Sequence, residues 1–168
     1  MPIAENLPDL LLEETVNRAV SDVFSTMLST DAVPVSSIDL GKALILDAPH
    51  VVGTVGFIGE MKGLIYLYFR EDFAEKCARD MLSMTTQELI EAGEDVINDA
   101  VGEITNITVG AFKNQRADRG SPCRLTIPSI MRGSHFHVEP IREASRRVFR
   151  YKIQDHLLTV DLMMQPGE

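Results

Sequence analysis

The chain reads as an α+β fold in which long helices pack on an antiparallel sheet. Two observations point there. Apolar residues recur at three- and four-residue steps in some segments, while others are β-rich runs punctuated by glycine and proline. The order helix, strands, helices, strands also repeats a long helix followed by a group of strands, which implies an internal pseudo-repeat.

Pro8 and Asp9 open the first helix, expected from Pro8 to Ser29, on Leu11, Leu12, Val16, Val20, Val23, Phe24 and Met27. Three antiparallel strands should follow, Val35 to Leu46, His50 to Gly59 and Lys62 to Arg70, cut by Gly41, Pro49, Gly53, Gly59 and Gly63. Glu71 and Asp72 start a helix through Phe73, Cys77, Met81 and Leu82. Thr85-x-x-Glu88 reads as a capping box for a second helical stretch reaching about Lys113. Strands are then expected over Cys123 to Ile130, His135 to Ile141, Arg147 to Ile153 and His156 to Met164. No Pro- or Ser-rich linker interrupts 1–168, so one domain is expected, with loosely ordered ends.

Composition narrows the functions. The 168 residues carry 16 Lys+Arg against 25 Asp+Glu, a net charge of −9. That balance disfavours nucleic acid and anionic membranes as partners, since both favour clustered cations. At 45% hydrophobic residues the chain can bury a core without metal or disulfide staples. Two isolated cysteines, an acidic N-terminus and no bilayer-length apolar run lead to the expectation of a cytoplasmic protein.

The informative segment is Glu94 to Gly110. Turned by about 100° per residue, it puts Ile97, Val101, Ile104, Thr108 and Ala111 on a core-facing stripe. Asp99, Glu103 and Asn106 fall opposite, within about 60° of one another. Gly102 and Gly110 border this polar face and should leave the helix surface bare for another chain. Polar faces are the norm for surface helices, so the pattern alone favours a merely solvated one.

Asp99-x3-Glu103-x2-Asn106 resembles the signature of the CheC/CheX/FliY family of chemotaxis phosphatases: Asp or Ser, x3, Glu, x2, Asn, then a later proline. That proline is Pro128 here, one residue nearer than the family's usual spacing. The helix–strand order resembles the family too. The motif occurs once in full; Glu14-x2-Asn17 on the first helix is a degenerate second copy, with Leu10 in the acid position. A single motif is most similar to CheX-type members, which implies a homodimer.

The resemblance implies a phosphatase acting on the aspartyl phosphate of a phosphorylated CheY-like response regulator, with Mg²⁺ held by the regulator and no cofactor in this chain. The regulator's acyl phosphate is already reactive; the missing element is an oriented water. A carboxamide accepts one hydrogen bond from water and donates another to a phosphoryl oxygen, which suits Asn106. Glu103 would pair with the regulator's active-site lysine. Asp99, Gly102 and Gly110 would help docking, and Pro128 would shape a nearby loop. The alternative is a non-catalytic receiver-domain or flagellar-switch interaction module.

Other candidates are weaker. His135, His137 and Glu139 alternate on one strand face as metal ligands could, but Phe136 and Val138 facing inward explain the pattern more simply. Cys123 lacks the arginine six residues later that a phosphate cradle needs, for Ser129 stands there. Gly53-x2-Gly56-x2-Gly59 has neither the spacing nor the setting of a dinucleotide loop. The basic run Arg142, Arg146, Arg147, Arg150 and Lys152 is read as a solvated face.

Overall fold

The computed structural model describes residues 9–167. Its elements are α1 (Asp9–Leu28), β1 (Val33–Asp39), β2 (Leu44–Leu46), β3 (His50–Gly59), β4 (Met61–Arg70), α2 (Glu71–Leu82), α3 (Thr86–Ala92) and α4 (Glu94–Asp118). They continue as β5 (Cys123–Leu125), β6 (Ser129–Gly133), β7 (Phe136–Val138), β8 (Ser145–Ile153) and β9 (His156–Pro166). The α+β class therefore holds, with helices on an antiparallel sheet. Pro8, the expected first residue of α1, lies outside the described residues.

A seven-stranded sheet runs β1-β8-β9-β4-β3-β5, with β6 also on β3, and β2 pairs with β7 in a small second sheet. The helices cover one face of the large sheet. Val51, Val55 and Phe57 of β3, Ile65, Leu67 and Phe69 of β4, and Leu158, Val160 and Leu162 of β9 point into that layer. Residues of opposite parity reach the other face, where Val52 and Tyr68 meet Leu44, Phe136 and Val138 of the small sheet.

The pairings have a two-fold pattern. β1 pairs with β8 and β6 with β3, while β2 pairs with β7, β4 with β9, and α1 packs on α4. Mapping β1–β4 in order onto β6–β9 exchanges the first two pairings and leaves the others unchanged. The two halves are thus interleaved, each placing its outer strand against the other's hairpin.

Four boundaries differ from expectation. The segment Val35 to Leu46 is two strands, because the chain leaves the large sheet after Asp39 and crosses to the small one. The stretch from Thr85 divides at Gly93, whose φ of +90° ends α3 and starts α4. Its capping box is present: the Thr85 hydroxyl accepts from Glu88 N and the Glu88 carboxylate accepts from Thr85 N, each at 3.1 Å. α4 continues five residues beyond Lys113 because Phe112 and Arg116 are buried, and the Arg116 guanidinium donates to Ser121 Oγ at 3.0 Å. The run Cys123 to Ile130 likewise divides into β5 and β6.

Arg146 corrects the reading of the basic run as a solvated face. It is 3% exposed and donates to both oxygens of the fully buried Asp161, at 2.9 and 2.7 Å, and to the carbonyls of Lys42 and Val138. Tyr68 Oη donates to Asp161 at 3.1 Å. The network straps the chain flanking the small sheet onto the large one. Hydrogen bonding to Asp161 holds Arg146 more firmly protonated than usual, while burial pushes the Tyr68 phenol far upward.

Candidate functional site

α4 lies across β3, β4, β5 and β6, flanked by α1 and α2. Ile97, Val101, Ile104 and Thr108 are buried beneath it as the periodicity predicts, and Ala111 is half-buried. The close seat on β3 depends on Gly53, where a Cβ would come 2.0 Å from Thr105 Oγ1 and 2.9 Å from Thr105 Cβ. Gly53 thus sits inside the strand expected from His50 to Gly59, where its missing side chain admits the helix.

Asp99, Glu103 and Asn106 are exposed along the outer face of α4, one turn apart. Among the described residues none of the three makes a side-chain hydrogen bond or ion pair within the chain. A carboxylate and a carboxamide are thereby presented together, free to meet an external partner.

The neighbouring candidates separate. Nothing lies within 4 Å of where a Gly110 Cβ would stand, so the helix surface is bare there. At Gly102 it is not: a Cβ would touch Ile130 of β6 at 3.6 Å, so this glycine faces the sheet segment rather than open solvent. Pro128 lies in the connection between β5 and β6, two residues from Ile130. That connection is anchored by Thr126, whose N donates to Gly56 O at 2.9 Å and whose hydroxyl accepts from Gly56 N at 2.8 Å.

Glu14 and Asn17 sit on α1, where Glu14 is exposed. The Asn17 carboxamide oxygen accepts from Tyr151 Oη at 2.6 Å. That hydrogen bond ties α1 to β8.

Arg132 carried no signal in the sequence, yet it braces the motif helix. Its Nη1 donates to Asn98 Oδ1 at 2.9 Å, and its guanidinium lies 3.7 Å from Glu94 and 3.8 Å from Glu71. Only the tertiary register of β6 beside α4 brings it to the residue preceding Asp99. His135, His137 and Glu139 are exposed, with Phe136 and Val138 packed inward against the small cluster. Among the described residues no three His, Cys, Asp or Glu side chains form a group able to hold a metal, and no helix is long and apolar enough to cross a membrane.

The interleaved α+β fold, long helices on one face of an antiparallel sheet, is that of CheX- and CheC-like chemotaxis proteins of known structure. The family model "Chemotaxis phosphatase CheX" matches residues 51–152, and the chain belongs to that family. Similar solved structures include a chemotaxis protein CheX from Desulfovibrio desulfuricans, 22% identical with a TM-score of 0.78, covering 90% of this chain and 97% of that one. CheX from Vibrio vulnificus is 24% identical with a TM-score of 0.76 over 90% and 97% of the two chains. A CheX–CheY–BeF3–Mg²⁺ complex from Borrelia burgdorferi is 16% identical with a TM-score of 0.71 over 90% and 96%. No curated protein matches the chain.

Proposed function

We propose that this chain is a phosphatase that hydrolyses the aspartyl phosphate of a CheY-type response regulator, in chemotaxis or another two-component pathway. The observation that carries this reading is the exposed face of α4, where, among the described residues, Glu103 and Asn106 have no partner of their own. The regulator supplies the acyl phosphate, its lysine and its Mg²⁺. The related CheX structure in complex with CheY, BeF3 and Mg²⁺ supports that division of labour. This chain supplies no cofactor.

Asn106 accepts a hydrogen bond from the attacking water and donates to a phosphoryl oxygen. Water oxygen bonds to phosphorus as the bond to the aspartyl oxygen breaks, releasing the regulator's carboxylate and inorganic phosphate. Glu103 pairs with the regulator's lysine and sets the approach. Asp99 orients the docked partner, Gly110 leaves room for it, and Gly102 and Pro128 shape the β5–β6 side of the site. The protein acts in the cytoplasm as a single CheX-like domain.

Two copies assemble as a homodimer. β1 is the outermost strand and exposes Val33, Val35 and Ile38. A bulge at Val35 breaks a continuous ladder, so the contact is apolar side-chain packing rather than sheet extension. α4 rests on the opposite half of the sheet, which leaves both motif faces open.

The test is loss of acyl phosphate from candidate regulators. Asn106→Ala should lower turnover by on the order of 10²-fold while still binding a phosphorylated regulator. Glu103→Ala should weaken both binding and turnover. Asn17→Ala should keep its turnover. If Asn106→Ala retains full activity in folded protein, the water-orienting role is wrong; if the wild type binds a phosphorylated regulator but removes no acyl phosphate, the chain is a non-catalytic receiver-binding module.

A further inference from the structure

Beside the motif, the end of α2 and the flank of α4 enclose a groove of about 320 Å³. It is lined by Met81, Leu82, Val96, Asp99, Ala100 and Glu103. Leu82 is 50% exposed, a large aliphatic side chain left open at the wall. The other side is electrostatically one-signed. Asp95, Asp99 and Glu103 form a ridge at i, i+4 and i+8, all exposed, and among the described residues none is ion-paired. α2 ends here at Ser83, whose φ is +52°, so the partial negative charge of that helix terminus adds to the same field.

An apolar recess with an uncompensated acidic rim discriminates among occupants. It favours an aliphatic or aromatic side chain flanked by lysine or arginine and repels acidic segments. Asp99 and Glu103 belong to the groove and to the motif face at once. Val96 lies about 15 Å along the helix from Asn106, while a protein contact of about 800 Å² per side has a radius of about 16 Å. A receiver domain that brings its phosphoryl group to Asn106 therefore covers the groove as well.

We propose that this groove is a second docking point for the response regulator, taking one apolar side chain of the receiver with a basic residue beside it over Asp99. The inference rests on the proposed regulator phosphatase activity. It assigns partner selection to the groove and leaves hydrolysis to Asn106.

The experiment uses a receiver from the same organism whose acyl phosphate this protein removes, loaded with beryllofluoride and Mg²⁺ for binding and with phosphate for turnover. Leu82→Asp should raise both Kd and KM about tenfold or more, with kcat at saturating regulator within about twofold of wild type. Leu82→Ala should show a smaller rise in both, and Leu82→Met should restore wild-type values. Ile90→Asp, at a residue still more exposed than Leu82 but outside the groove, should change nothing. Asp99→Asn should reduce the salt dependence of Kd. Unchanged Kd and KM in folded Leu82→Asp, or in Leu82→Ala should the first not fold, overturn the groove while Asn106→Ala still loses turnover. If the wild type neither binds nor dephosphorylates any receiver, the phosphatase reading fails and the docking point with it.

Discussion

Gly53→Ala should destabilise the protein by about 2–4 kcal/mol, although alanine is intrinsically better than glycine in a strand by about 0.5–1 kcal/mol. The new Cβ would lie 2.0 Å from Thr105 Oγ1, 2.9 Å from its Cβ and 3.1 Å from its Cγ2. Threonine is β-branched, so no rotamer clears all three atoms, and its hydroxyl is already held at 2.7 Å from Val101 O. α4 must move outward by about 1 Å, and a gap of that size forfeits a quarter to a half of each dispersion contact it opens. Those contacts include Val101, Ile104 and Phe112, all buried in the main core. For a chain of this length the loss corresponds to a fall in melting temperature of about 4–16 °C. Denaturant titration gives the free energy directly, and Thr105→Ala in the Gly53→Ala background should recover at least about 1 kcal/mol relative to the sum of the single changes. Gly53→Ala as stable as wild type, or additive with Thr105→Ala, would refute the close seating of α4 on β3.

Arg146→Ala should cost about 3–5 kcal/mol by stranding the buried Asp161 carboxylate, and Arg146→Met with Asp161→Leu should recover much of it in the same titration. Light scattering at micromolar concentration should report about twice 18.7 kDa, falling to the monomer mass in Val35→Lys; a monomeric wild type would exclude the apolar β1 contact. Burial pushes the Cys77 thiol from 9.0 up to about 12, so the protonated thiol's contribution is intact below pH 9 and is lost as pH rises toward 12. Unfolding midpoints should fall across that window, less steeply in Cys77→Ala, and equal slopes would remove Cys77 as a cause.

The local elements were legible because they depend on local chemistry. The Thr85–Glu88 capping box, the Ile97–Val101–Ile104 stripe and the opposed Asp99–Glu103–Asn106 face each follow from helix periodicity and side-chain reach, with no knowledge of distant contacts. The match of residues 51–152 to the CheX family agrees with the motif resemblance seen in the same helix.

Other features were decided where distant segments meet. Gly53 read only as punctuation within a β-rich run until Thr105, far along the chain, required its missing side chain. Arg146 looked like one of several solvated cations until Asp161 and the two carbonyls gathered it into the core. Asn17 resembled Asn106 by spacing, and only the fold brings Tyr151 to its oxygen. Arg132 gave no signal, and Leu82 read only as one of the apolar residues of its helix, since one acquires its meaning from β6 lying beside α4 and the other from α2 ending against it. A sequence specifies what each side chain can bond or bury within a few residues of itself. Which of those capacities is used, and which is left free for a partner, depends on the long-range pairing of the two interleaved halves.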